Sequence, residues 1–164
     1  MVYYPEMKFY TFILIFLFSL SELFSMELST FSLKRDNLLI QIPKIWKWKH
    51  LTSEESKPRF KAGSRNGYYL FLIKKLSEDE EIEGFIDKNK LEIIDCDIKK
   101  ENIQFIRLKQ GDIYKYKRKS KIGYILSIIE KKNKYMVLFE LKGSILESNK
   151  DLVIDILNGV RGIE

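Results

Sequence analysis

The stretch Ile122-Gly-Tyr-Ile-Leu-Ser-Ile-Ile129, followed by Tyr135-Met-Val-Leu-Phe-Glu-Leu141, decides how this chain folds. On an extended strand, Tyr124, Leu126 and Ile128 fall on one side and Ile125 and Ile129 on the other. Both sides are apolar, which marks strands covered on both faces. The link Lys131-Lys-Asn-Lys134 is short, so the two segments are predicted to be antiparallel neighbours.

Working outward, Asp112 to Lys119 alternates, with Ile113, Lys115 and Lys117 on one side and Tyr114, Tyr116 and Arg118 on the other. Ile93 to Ile98 and Ile103 to Leu108 read as two more strands flanking Lys99-Lys-Glu-Asn102. Upstream, Arg59 to Ser64 and Tyr68 to Lys74 flank Arg65-Asn-Gly67 and read as a hairpin, because Asn-Gly tolerates positive φ. Asn37 to Pro43 reads as a strand that the proline ends, and Leu51 to Pro58 as a polar loop. Two helices are predicted. Ser77-Glu-Asp-Glu80 is a capping box in front of Ile82, Phe85 and Ile86, with Gly84 weakening the helix. Ser148 with Asp151 caps a stripe of Leu152, Val153, Ile156, Leu157 and Val160, stopped at Gly162. The expected architecture is α+β: an antiparallel sheet with helices on both faces, a three-layer α/β/α sandwich.

A chain of 164 residues, 45% hydrophobic, is one ordinary domain able to bury a core without staples. Residues 1–25 stand apart. Lys8 is followed by Phe9 to Phe18, broken only by Thr11, and then by Ser19-Leu-Ser-Glu-Leu-Phe-Ser25. A Lys, a short apolar run and small residues form the layout of a secretory signal. Cleavage would follow Ser21 or Ser25, and Met7 is an alternative start. An uncleaved N-terminal anchor and a cytosolic start at Met26 are the other two readings; Phe9 to Leu20 is shorter than the ~20 residues that span a bilayer. Residues 26–36 read as a leader and 37–164 as the domain. The protein is therefore expected outside the cytoplasm, in the periplasm or envelope or secreted. Removing 1–25 leaves 28 basic against 21 acidic side chains, a formal +7. Such a balance suits anionic lipid, acidic polysaccharide or an acidic protein, although lysines that are merely solvated give the same number.

Catalytic constellations are missing from the sequence. One Cys and one His exclude a disulfide framework and zinc spacing. No glycine-rich phosphate cradle and no Gly-x-Ser-x-Gly occurs. His50 lacks a nucleophile and reads as a surface histidine. Cys96, flanked by Asp95 and Asp97, reads as a small strand residue, since acidic neighbours oppose a thiolate. Asp95 and Asp97 share a face and read as a solvated strand edge, too few for calcium. No catalytic residue, metal or cofactor is expected.

Two stretches interleave aromatic and basic residues: Trp46-Lys47-Trp48-Lys49, and Tyr114 to Lys121 with Lys115, Lys117, Arg118, Lys119 and Lys121. These are the candidate contacts for a partner or an anionic surface. Stacking on a single-stranded nucleic acid needs exposed rings. A strand that buries Tyr114 and Tyr116 hides them, and an export signal further disfavours nucleic acid.

Leu38-Leu-Ile-Gln-Ile-Pro43 closely followed by Trp46, the mid-chain capped helix, the strands from Ile93 to Leu141 and the closing helix from Ser148 together resemble the PsbP-like α/β/α sandwich. Photosystem II accessory proteins, Mog-type Ran-binding proteins and DcrB-like envelope proteins share that fold. The resemblance covers about residues 38–162 and is one of pattern; nothing in these residues points to photosynthesis or to Ran. It implies a non-enzymatic accessory role, exercised by docking to a protein partner, and assigns no binding residue. A basic module for anionic lipid or polysaccharide is the alternative expectation, and an uncharacterised enzyme the second. A small open barrel is the competing fold.

Overall fold

The computed structural model describes residues 27–50 and 58–163. The expected signal or anchor at 1–25 and most of the loop from Leu51 lie outside the described residues. Ten strands and two α-helices follow in the order β1 (Leu28–Leu33), β2 (Leu38–Pro43), β3 (Lys47–His50), β4 (Pro58–Gly63), β5 (Tyr69–Lys75), α1 (Ile82–Asn89), β6 (Glu92–Ile94), β7 (Lys109–Arg118), β8 (Lys121–Glu130), β9 (Asn133–Lys142), α2 (Lys150–Asn158) and β10 (Arg161–Gly162). They build two antiparallel sheets, one ordered β1-β2-β10 and the other β3-β4-β5-β9-β8-β7-β6.

The expected three-layer sandwich with helices on both faces is not what forms. The protein is mostly β, and a second sheet occupies the place given to a helical layer. The reason lies in residues 26–36. Leu28-Ser-Thr-Phe-Ser-Leu33, read as leader, is β1; it pairs with β2 from Leu28↔Pro43 to Leu33↔Leu38. The small sheet shares one face of the large sheet with α2. Leu38, Ile40 and Ile42 of β2 and Val153, Ile156 and Leu157 of α2 meet Phe71, Tyr124 and Val137 there, all fully buried. Among the described residues the other face carries α1 alone, two turns long, whose Ile82 and Ile86 cover Tyr116, Ile125, Met136 and Leu138.

Strands β8 and β9 are central and buried on both sides, as their alternation implies. Lys131 takes φ 53° in the two-residue loop between them. The β4–β5 hairpin forms, with only Gly67 at positive φ.

Three local expectations are corrected. Of the first predicted strand, Ile93 to Ile98, only Ile93 and Ile94 are strand, as part of β6, and 103–108 is not strand at all. Asp97 leaves the sheet to meet Lys115, Tyr124 and Lys150, while Ile98 and Ile103 still reach the core as loop residues. The box at 77–80 closes a turn rather than a helix. The Ser77 N–H donates to Glu80 Oε2 at 3.1 Å, but α1 starts at Ile82, after Glu81. Asn149, not Ser148, precedes α2, and that helix stops at Gly159, leaving Gly162 to pair with Leu38.

Candidate functional site

Antiparallel register brings the two basic-aromatic stretches to the same end of the large sheet. Lys47 lies beside Gly63, and Gly63 beside Leu70. Tyr69 lies beside Leu141, Leu141 beside Ile122 and Ile122 beside Lys117. This row crosses from β3 to β7, about 24 Å at the usual strand spacing. Beyond it stand the turns at 44–46, 64–68 and 119–120 and the exit from β9 at Lys142.

The nine candidate residues divide sharply. Trp46 is buried and stacks on Tyr69 at 5.4 Å between ring centres. Trp48 is 48% exposed and tilts against Phe31 of β1 at 4.7 Å. Lys47 and Lys49 are exposed on the opposite side of β3, and Lys49 is beside Lys61. Trp46, Trp48, Lys61 and Tyr69 line a shallow hollow of about 600 Å3 along this edge. On the other stretch, Lys117, Arg118 and Lys119 are exposed, with Lys117 across from Glu92.

Lys115 and Lys121 are both engaged by carboxylates. Lys115 is buried, with Nζ 2.8 Å from Asp97 Oδ1 and 5.7 Å above the Tyr124 ring. Burial would raise the Asp97 carboxyl, but hydrogen bonds from Lys115, Tyr124 and Lys150 outweigh it and hold the group at about 2. The Asp95/Asp97 edge is therefore not simply solvated: Asp97 ties β7, β8 and α2 together. Lys121 Nζ sits 2.8 Å from Glu140 Oε1, whose other oxygen accepts from the Tyr116 hydroxyl at 3.1 Å. Burial and the Glu140 charge push that phenol far up.

Several residues at this end were missed because they sit in turns, where alternation gives no signal. Ile45 is 71% exposed in the β2–β3 turn. Tyr68, before β5, is 40% exposed and lies under Lys142 Nζ at 5.0 Å. Arg65 is exposed on the same turn. Lys47, Arg65, Arg118, Lys119 and Lys142 make no ion pair with a described residue. Of the neighbouring carboxylates, Glu140 is engaged by Lys121 and Glu27 by Lys44, while Glu92 stands across from Lys117. At the far end of the sheet Lys74 pairs with Glu80, Lys131 with Glu130 and Lys134 with Glu81, while Lys75, Lys109 and Lys132 make no ion pair with a described residue and Glu78 lies beside Lys75 and Lys132.

The remaining candidates for chemistry fall apart. His50 is exposed and packs edge-on against Trp48 and Phe60. The Cys96 thiol is half-buried, is raised by burial and donates to the Ile98 carbonyl at 3.3 Å. Among the described residues no three metal-binding side chains gather, and no helix is long and apolar enough to cross a membrane.

No protein-family model matches the chain, and no curated protein matches it. Among solved structures it is similar to cyanobacterial PsbP (CyanoP) from Synechocystis sp. PCC 6803, with a TM-score of 0.45 and 10% identity over 84% of this chain and 94% of that one. It is also similar to PA94, a Pseudomonas aeruginosa protein of unknown function, with a TM-score of 0.30 and 10% identity over 80% of this chain and 94% of that one. The likeness to the PsbP-like fold is one of outline.

Proposed function

We propose that this protein is a non-enzymatic docking module that works outside the cytoplasm and contacts a negatively charged surface with the basic end of its large sheet. The observation that supports this reading is the segregation of charge. Lys47, Arg65, Arg118, Lys119 and Lys142 stand without described carboxylate partners at one end, whereas at the other end Lys74, Lys131 and Lys134 are paired and Glu78 lies beside Lys75 and Lys132. Unpaired cations grouped at one end raise the local concentration of an anionic partner, while paired ones do little beyond solubility. The sequence supports the location through residues 1–25, and the outline of the fold fits an accessory role without naming a partner.

The test is salt-dependent retention on an immobilised polyanion and on anionic vesicles. A Lys or Arg near an anionic membrane contributes about 1 kcal/mol, so reversing Lys47, Arg118 and Lys119 to Glu should weaken vesicle binding by more than about a hundredfold. Unchanged binding in the triple variant would remove the basic end from consideration.

A further inference from the structure

We infer that the basic end is a membrane-contacting tip, with Ile45 and Tyr68 entering the interface of an anionic bilayer while the surrounding cations hold its phosphate headgroups. This deepens the docking reading above and rests on it.

Among the described residues, four of the six large hydrophobic side chains left exposed sit at this end: Leu28, beside Pro43, and then Ile45, Trp48 and Tyr68. Ile45 and Tyr68 project from turns and do not line the hollow along β3. A stable protein partner needs a well-packed contact patch, about 800 Å2 a side. Separate apolar side chains on convex turns, each beside cations, suit a lipid interface, where the alkyl or ring part enters and the charge stays with the headgroups. Tyr68 under Lys142 is such a pair: an amphipathic ring of the kind favoured at membrane–water interfaces, capped by a cation.

The path of the chain supplies an independent argument. The Lys44 N–H donates to the Glu27 carbonyl at 2.8 Å, and the Lys44 ammonium meets the Glu27 carboxylate at 3.0 Å. The described chain thus enters the fold next to Ile45. Phe9 to Phe18, the longest apolar run in the sequence, ends nine residues before Glu27, a reach of at most about 30 Å. The described chain therefore joins the fold at the end that carries Ile45 and Tyr68. A second copy of the protein is a poor occupant, because a two-fold contact would oppose one cation-rich end to another.

Trp48 is the reporter, since Trp46 is buried. The full chain is mixed with vesicles of phosphatidylcholine alone, or with added phosphatidylglycerol, each carrying brominated acyl chains. The expected result is a blue shift and quenching of tryptophan emission in the anionic vesicles only. Both should be lost in Trp48→Phe, reversed by high salt, and lost in Ile45→Ser with Tyr68→Ser while the far-UV dichroism stays the same. Equal quenching in neutral vesicles would assign contact to the N-terminal apolar run alone and overturn the inference. Binding to anionic vesicles with Trp48 unquenched would overturn insertion but leave the docking reading standing. Retention on a polyanion without vesicle binding would do the same, and binding to neither would overturn both.

Discussion

Gly123 sits across from Tyr116 in the β7–β8 register, and the phenol ring occupies the space a side chain would fill. A Cβ at Gly123 would stand 2.2 Å from that ring. Tyr116 cannot retreat, because it is 1% exposed and its hydroxyl donates to Glu140. Gly123→Ala is therefore expected to lose about 2–3 kcal/mol on urea unfolding, the upper part of the usual overpacking range. Asp97 is the second residue whose neighbours dictate its behaviour. Its folded value of about 2 lies below the ordinary 3.8, so its contribution is present above pH 4 and is lost as the pH falls through 2. Asp97→Asn should cost about 2 kcal/mol at neutral pH, less than for a fully buried pair because Asp97 is partly exposed, and it leaves Lys115 buried without its carboxylate. The gap between wild type and variant, followed by thermal unfolding, should close between pH 4 and pH 2. Neither residue announced this. Gly123 reads as a weak strand residue until its cross-strand partner is known, and Asp97 reads as one more exposed acid beside Cys96.

At the scale of elements, the central hairpin was the part most legible in the sequence. Its alternation of two apolar sides requires two cores, and both exist, Tyr124, Leu126 and Ile128 facing one and Ile125 the other. Ile125→Asp should unfold the domain, since it places a charge beneath α1, whereas Lys117→Ala, on an exposed site, should stay within about 0.5 kcal/mol. Equal stability of the two variants in thermal melts would refute the burial of β8. The elements that escaped the sequence failed for a physical reason in each case. β1 alternates Leu, Thr and Ser with Phe and Leu too weakly to stand out, and only pairing with β2 makes it a strand. Residues 95–108 have strand-like composition, but the pull of Lys115 and Lys150 on Asp97 takes the chain out of the ladder. Ser77 to Glu80 holds the atoms of a cap, yet Lys74 claims the Glu80 carboxylate and fixes a turn instead.

At the scale of the whole molecule, net charge is less informative than its placement. The formal +6 is spread along the sequence, but folding pairs Lys74, Lys131 and Lys134 at one end and leaves five cations of the other without a described carboxylate. Trp46 to Lys49 and Lys117 to Lys119 could each be picked out as segments. That they share an end emerges only by following register through β4, β5, β9 and β8. The same placement provides a control for the charge reversals. Lys131→Glu with Lys132→Glu at the far end changes net charge by as much per residue, and is expected to leave polyanion retention nearly as in wild type once salt screens distant charges over about 10 Å. An equal loss from both ends would mean that net charge alone governs binding.

The position of β2 has a consequence for how the protein is made. It is flanked by β1, synthesised just before it, and by β10, reached some 120 residues later. A growing chain can close the β1–β2 hairpin early, but Leu38, Ile40 and Ile42 then have nothing to rest on until β8, β9 and α2 emerge. One side of β2 stays open until Arg161 and Gly162 arrive to pair with Leu39 and Leu38. For most of its synthesis the protein therefore displays a greasy two-stranded ribbon with a free backbone edge, the form in which nascent chains are most prone to pair with one another and most in need of a chaperone's cover.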